Sequence, residues 1–268
     1  MAGYPVPLIV VGNEKGGSGK TTVAIHLVAG LMAAGLRVGA IDLDQRQRSF
    51  SHFFANRALW SERQKRDFAL PKLVTMSPAD EDAVARLTHV VGELSQEVDV
   101  IVVDCPGADT ALGRAAHAAA SVIVTPLNDS FVDFDLLAGV DPETYEAKAP
   151  SIYAEFVWES RKRHMIEKRK TIDWLVVRNR MSSTETRNQR RVSEALAKLS
   201  QRIGFRLASG LSERVIYREL FPKGLTVLDL IEGKTKGLTM SQVAARQEVR
   251  GLVAALRLPQ LSKVLAAS

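Results

Sequence analysis

The chain has 268 residues, 46% hydrophobic and 25% charged, an ordinary globular balance for one large domain or two small ones. Its single cysteine, Cys105, excludes a disulfide scaffold and any multi-cysteine zinc or iron–sulfur site within the chain, and fits a reducing cytosol. The net charge of +6 is uneven: residues 161–191 hold eleven Lys or Arg against three acids, while the other 237 residues are net −2, so a diffusely basic protein is excluded.

Short apolar runs alternate with helix-length segments. Residues 7–12 (PLIVVG), 37–43 (RVGAIDL), 98–103 (VDVIVV), 121–125 (SVIVT) and 172–177 (IDWLVV) predict strands buried on both faces. Residues 72–75 and 204–207 are weaker strand candidates. Helices are predicted over 20–34, 80–96, 135–147 and 186–202, with a docking helix over 241–256. The alternation predicts an α/β fold with a mainly parallel sheet flanked by helices, one domain over 1–268. Residues 151–170 interrupt it and read as a charged, partly helical surface insertion; residues 257–268 read as a C-terminal tail. No run of 18 uncharged apolar residues occurs, and the N-terminus does not read as a secretory signal.

The first strand runs into Gly12-Asn-Glu-Lys-Gly-Gly-Ser-Gly-Lys-Thr-Thr22, and a helix follows. Gly16, Gly17 and Gly19 let the backbone around Ser18 curl with its N–H groups inward, a nest for phosphate oxygens backed by a helix N-terminus that begins with Lys20, Thr21 and Thr22. Lys20 can reach the β- and γ-phosphates of a nucleotide, and the Thr21 hydroxyl can ligate Mg²⁺. Asp42 and Asp44 stand two residues apart at the end of the second strand, so both point to one side of the crevice. Asp104 ends a later apolar strand, a carboxylate placed for Mg²⁺, usually through water. Cys105 reads as a small buried residue.

In the ordinary phosphate loop a glycine stands where this chain has Glu14, and Lys15 is an added lysine. That pattern resembles the deviant Walker A motif of the ParA/MinD family of P-loop ATPases. The resemblance implies that Lys15 reaches across a face-to-face dimer to the partner's ATP. It implies that Asp44 orients or activates the attacking water, with Asp42 in support. It also implies that Gly107 begins a switch segment that senses the γ-phosphate, and that Asn179 and Arg180 contact adenine. No Asn-Lys-x-Asp guanine signature stands in the usual place, so ATP is expected over GTP. Within the family, Thr125-Pro-Leu-Asn-Asp-Ser-Phe-Val-Asp-Phe-Asp135 and Val215-Ile-Tyr-Arg-Glu-Leu-Phe-Pro222 resemble the MipZ branch. That branch implies an ATP-dependent homodimer, ATP/ADP and Mg²⁺ as ligands, and DNA binding without sequence preference. It further implies inhibition of assembly of the tubulin-like FtsZ, interaction with ParB, and a cytoplasmic location associated with the nucleoid and pole. A ParA-type partitioning ATPase is the alternative, and a metabolic or metal-cluster-linked ATPase of the same fold a more distant one.

Within the basic window, Arg187, Arg190 and Arg191 can share one helix face, and Arg202, Arg214 and Arg218 lie further along. Such a stripe neutralises DNA phosphates. The run Arg161, Lys162, Arg163, Lys168, Arg169 and Lys170 is a weaker DNA candidate. Asp129, Asp133 and Asp135 read as loop-solvating or capping acids, with partner contact second. The five histidines lack paired ligand spacing and receive no role. The tail makes a poor membrane-binding helix.

Overall fold

A computed structural model describes residues 5–128, 131–141, 147–181, 187–230 and 238–261. The predicted strands form as β1 (Leu8–Val11), β2 (Val38–Asp42), β3 (Lys72–Thr75), β4 (Val100–Asp104) and β5 (Val122–Asn128). A short antiparallel pair, β6 (Ala138–Val140) and β7 (Ala147–Pro150), precedes β8 (Asp173–Asn179) and β9 (Arg206–Ser209). Seven strands make one sheet in the order β3-β2-β4-β1-β5-β8-β9, and every neighbouring pair is parallel. The helices are α1 (Lys20–Ala33), α2 (Ser49–Gln64), α3 (Ala83–Leu94), α4 (Ala111–Ala119), α5 (Phe131–Phe134), α6 (Ile152–Lys168), α7 (Arg187–Ile203), α8 (Val215–Leu220) and α9 (Met240–Ala255).

Both faces of the sheet are covered, which is why its strands read as unbroken apolar runs. Leu8, Val10, Ile101, Val103, Ile123 and Trp174 face α3, α4, α6 and α7. Their alternating neighbours Ile9, Val11, Val100, Val102, Val124 and Leu175 face α1, α2 and α9. No helix among the described residues is long and apolar enough to cross a membrane.

Two expectations are corrected. Residues 151–170 are not an insertion. They form α6, capped by Ser151, whose hydroxyl accepts from the Ala154 N–H at 3.0 Å. Tyr153, Ala154 and Val157 of α6 are buried in the core. Within the helix predicted over 135–147, Ala138–Val140 form β6 and Ala147 begins β7, while residues 142–146 lie outside the described residues. Gly139 lowers helix propensity there, and Pro142 disfavours helical backbone at Asp141.

One buried ion pair ties the far side of the molecule together. Arg57 of α2 is 4% exposed. It donates to the two carboxylate oxygens of Asp229 at 2.8 and 2.7 Å, to Gly224 O at 2.9 Å and to Ala69 O at 2.8 Å. Burial alone would raise the Asp229 pKa, but the Arg57 hydrogen bonds and charge outweigh it and hold it below the ordinary carboxylate value. A depressed folded-state pKa contributes stability above the unfolded value of about 3.9, lost as pH falls through the folded one. Asp229→Asn is expected to lower the unfolding free energy by roughly 3 kcal/mol at pH 7, since it leaves Arg57 charged and unpaired. Urea titrations at pH 7 and at pH 3 check this: the deficit of the variant should shrink at the acid pH.

Candidate phosphate-binding site

Strand β1 delivers the chain to the carboxyl edge of the sheet, and hydrogen bonds to β5 fix it there. The Gly12 N–H donates to Val124 O at 3.0 Å. Asn13 is 3% exposed; its Nδ2 donates to Pro126 O at 2.6 Å, and its Oδ1 accepts from the Lys15 N–H at 2.6 Å. Beyond this anchor the loop curls. Gly17 and Gly19 have φ of 76° and 84°, in the left-handed region that favours glycine. A Cβ on Gly16 or Gly17 would meet nothing within 4 Å, so these two residues border open space. A Cβ on Gly19 would stand 2.0 Å from Asn179 Nδ2. That amide donates to Ser18 O at 3.0 Å, which places Asn179, at the end of β8, against the loop. Arg180, beside it, is exposed.

No side chain caps the N-terminus of α1, so its first N–H groups face the loop interior. Lys20 is 7% exposed and its Nζ donates to Lys15 O at 2.9 Å. Burial lowers its pKa, opposed by the nearby carboxylates of Asp104 and Asp44. Gly107 approaches closely: a Cβ there would lie 3.0 Å from Lys20 Nζ and 3.2 Å from Gly16 Cα. Thr22 completes the first turn of α1, and its carbonyl accepts from His26 Nδ1 at 2.8 Å.

The parallel register sets Asp42 opposite Asp104 and Val11 opposite Asp104. The Thr21 hydroxyl donates to Asp104 Oδ2 at 2.7 Å, while the buried Asp104 Oδ1 has no partner among the described residues. Burial pushes the Asp104 pKa up to about 8, helped by Asp42 and Asp44 and opposed by Thr21 and Lys20. A hydroxyl beside an orphaned, desolvated carboxylate oxygen is a hard-oxygen donor set that suits Mg²⁺. Asp42 is committed elsewhere. It accepts from the Asp44 N–H at 3.0 Å and the Ser51 N–H at 2.9 Å, tying β2 to the start of α2. Asp44 is half-buried beyond it and caps the next turn through Gln47 N–H at 3.2 Å.

Lys15 lies outside this cradle. Its side chain is 38% exposed and pairs with Asp133, a residue read as loop-solvating or capping, with partner contact second, and found 5% exposed in its side chain. The Asp133 carboxylate also accepts from the Asn128 N–H at 3.1 Å. Asp135 is exposed, and Asp129 lies outside the described residues.

The basic residues divide. On α7, Val192, Leu196 and Leu199 are buried, while Arg191, Lys198 and Arg202 are exposed at spacings that share one face flanking the buried stripe. Lys198 was missed by sequence reasoning, though its i+7 relation to Arg191 could have shown it. Arg187 and Arg190 belong to α7, and their side chains lie outside the described residues. Arg218 is exposed and stands 3.9 Å from Glu213. Arg214, expected on the DNA face, is instead bound to α9. It donates to Glu248 Oε1 at 2.5 Å and Oε2 at 3.3 Å and to Ser241 Oγ at 3.0 Å, because a half-buried guanidinium needs acceptors. Arg161 likewise donates to Ile172 O at 3.0 Å and Gly204 O at 2.7 Å.

A family model described as ATPase MipZ matches residues 7–260. Among curated proteins, the chain is similar to the septum site-determining protein MinD of Bacillus subtilis (strain 168), 29% identical over 188 residues, 62% of this chain and 69% of that one. It is also similar to the chromosome partitioning protein ParA of Myxococcus xanthus, 29% identical over 145 residues, 45% of this chain and 51% of that one. A putative replication protein A of Rhizobium rhizogenes is 30% identical over 171 residues, and the chain spans 42% of its length. Among solved structures, apo McdA of Cyanothece superposes with a TM-score of 0.62 at 16% identity, over 94% of this chain and 99% of that one. MinD of Pyrococcus horikoshii OT3, complexed with Mg-ADP, gives 0.57 at 16% identity, over 96% of each chain. These structures show the fold: a parallel sheet flanked by helices, of the MinD/ParA P-loop type.

Thr21→Ala removes the hydroxyl paired with Asp104. Binding of a fluorescent ATP analogue is expected to weaken roughly 10–100-fold when Mg²⁺ is present. Without Mg²⁺ the variant should match the wild type, and an equal loss in both conditions would place the metal elsewhere.

Proposed function

The chain belongs to the MipZ ATPase family, and from that premise we propose that it is an ATP-driven dimerising switch whose dimer binds DNA without sequence preference and inhibits FtsZ assembly. The observation that carries this is the division of labour between two lysines. Lys20 is buried inside the cradle, whereas the partly exposed Lys15 side chain turns from the same loop to the buried Asp133 carboxylate. A lysine placed there serves a second subunit's phosphates better than its own.

ATP shifts a monomer–dimer equilibrium only through a contact that the dimer alone makes. In the proposed dimer Lys15 is that contact. The glycine-rich loop and the N-terminus of α1 hold the phosphates, and Asn179 and Arg180 lie toward the base. Thr21 and Asp104 would hold Mg²⁺, which would supply neutralisation of charge on the phosphate oxygens. Asp44, its backbone pinned by Asp42, orients the attacking water, and Gly107 reports the γ-phosphate to the switch segment through its N–H. Hydrolysis removes the group that Lys15 holds, and the dimer separates.

Arg191, Lys198, Arg202 and Arg218 form the DNA face in this reading, Arg187 and Arg190 belong to the same helix as the first three, and dimerisation doubles the face. The monomer interacts with ParB, and the protein is cytoplasmic, associated with nucleoid and pole. The curated relatives include a partitioning ParA, and a partitioning ATPase would share the nucleotide chemistry without touching FtsZ.

Lys15→Ala is expected to bind ATP as the wild type does, yet to show no ATP-dependent doubling of mass by light scattering. In sedimentation assays with ATP, wild-type protein should reduce pelleted FtsZ at least twofold and Lys15→Ala should not. Unchanged FtsZ pellets with the wild-type dimer would favour the partitioning reading. Arg191→Ala with Arg202→Ala should weaken binding to all DNA sequences alike. The slope of log affinity against log salt should flatten by about 0.9 for each DNA phosphate that is no longer neutralised. An unchanged slope would move the DNA face elsewhere.

A further inference from the structure

A buried chain of hydroxyls ends on the first residue of the phosphate loop. Tyr153 of α6 is 2% exposed, and its hydroxyl lies 2.9 Å from Gly12 O and 2.9 Å from Thr125 Oγ1. Trp174 Nε1 lies 3.0 Å from Thr125 Oγ1. Counting protons fixes the direction. The indole N–H only donates and the Gly12 carbonyl only accepts. Trp174 therefore donates to Thr125, Thr125 to Tyr153, and Tyr153 to Gly12 O. Burial raises the Tyr153 pKa, so its proton is present to be donated.

His117 of α4 closes the arrangement from the other side. Its Nδ1 stands 2.8 Å from Gly113 O and must carry the hydrogen, which leaves Nε2 as an acceptor. Nε2 is 3.5 Å from the Tyr153 oxygen, farther than the Gly12 carbonyl, so the proton goes to Gly12. The imidazole also fills the space over Gly12: a Cβ there would come within 2.3 Å of the ring. Gly12 is thus held at its N–H by β5, at its carbonyl by α6 and at its Cα by α4.

We propose that Tyr153 is a positioning residue for ATP binding: its hydroxyl, oriented by Thr125 and Trp174, sets the Gly12 peptide from which the phosphate cradle curls. The contact is made to the loop rather than to the reacting atoms. It therefore supports bound ATP and the transition state equally and acts on KM rather than kcat. The inference rests on the reading of residues 12–22 as the ATP site, which wild-type turnover in the same assay tests separately.

The test is steady-state ATPase kinetics, well below the melting temperature, on Tyr153→Phe, Thr125→Val and Thr125→Ser. Tyr153→Phe keeps the ring and should raise KM for ATP about tenfold with kcat within twofold. Thr125→Val leaves the Tyr153–Gly12 bond but removes the polarising donor, so its KM should rise about two- to threefold. Thr125→Ser should restore the wild-type value. Hydrogen exchange of the amides of residues 13–17 should quicken in Tyr153→Phe and far less in Thr125→Val. The proposal is overturned if Tyr153→Phe melts earlier with KM within twofold of wild type, or if Thr125→Val matches it in KM. It is overturned equally if Tyr153→Phe fails to fold, because the hydroxyl would then serve the fold and not the loop.

Discussion

A phosphate loop must turn its N–H groups inward, and a backbone doing so cannot also pair with a neighbouring strand. The anchoring has to come from just before the curl. Here it comes from the Gly12 N–H on Val124 O and the Asn13 amide on Pro126 O, both on β5. Parallel pairing of β1 with β5 sets these partners side by side, and pairing of β1 with β4 brings Asp104 to the same edge. The glycine-rich loop, the buried Asp104 carboxylate and the two lysines Lys15 and Lys20 all take their positions from that alignment.

The alignment has an electrostatic cost. Asp42 and Asp104 sit opposite each other in register, each 1% exposed. Two adjacent buried carboxylates repel and lose hydration. The fold handles them differently. Asp42 receives two backbone N–H groups and becomes a structural acceptor. Asp104 receives only the Thr21 hydroxyl and keeps one oxygen without a partner among the described residues. A buried carboxylate oxygen without a hydrogen-bond donor suits a divalent cation, as the proposed Mg²⁺ site requires.

The strands were legible because two-sided burial writes them as continuous apolar runs. The phosphate motif was legible because its residues are contiguous. Helix α2 was overlooked although Phe50, Phe53, Phe54 and Arg57 have helical spacing; a core stripe ending in an arginine does not look like a core stripe. Helix α6 was mistaken for an insertion for a similar reason: its buried face is Tyr153, Ala154, Val157, Ser160 and His164, mostly polar or small. Residues that meet the phosphate loop from afar carry no local signal. Asp133 reaches Lys15 across 118 positions and Tyr153 reaches Gly12 across 141. Asn179 was found only through a resemblance of its neighbours, not through any spacing that ties it to Ser18.

The arginines show why a charge count is a poor map of a binding face. Arg57, Arg161, Arg206, Arg214 and Arg246 each donate to backbone carbonyls or to a carboxylate inside the protein. A guanidinium has five N–H donors in a rigid fork, and it can satisfy carbonyls that strand and helix ends leave open. Those five are committed to the fold, and two of them, Arg161 and Arg214, came from the set read as facing DNA. Helix α7 differs because its apolar stripe of Val192, Leu196 and Leu199 already secures it to the sheet. Its exposed side carries Arg191, Lys198 and Arg202, at a spacing set by the helix. Under the proposed DNA reading, the basic side chains that count are those on a helix that the hydrophobic effect already holds.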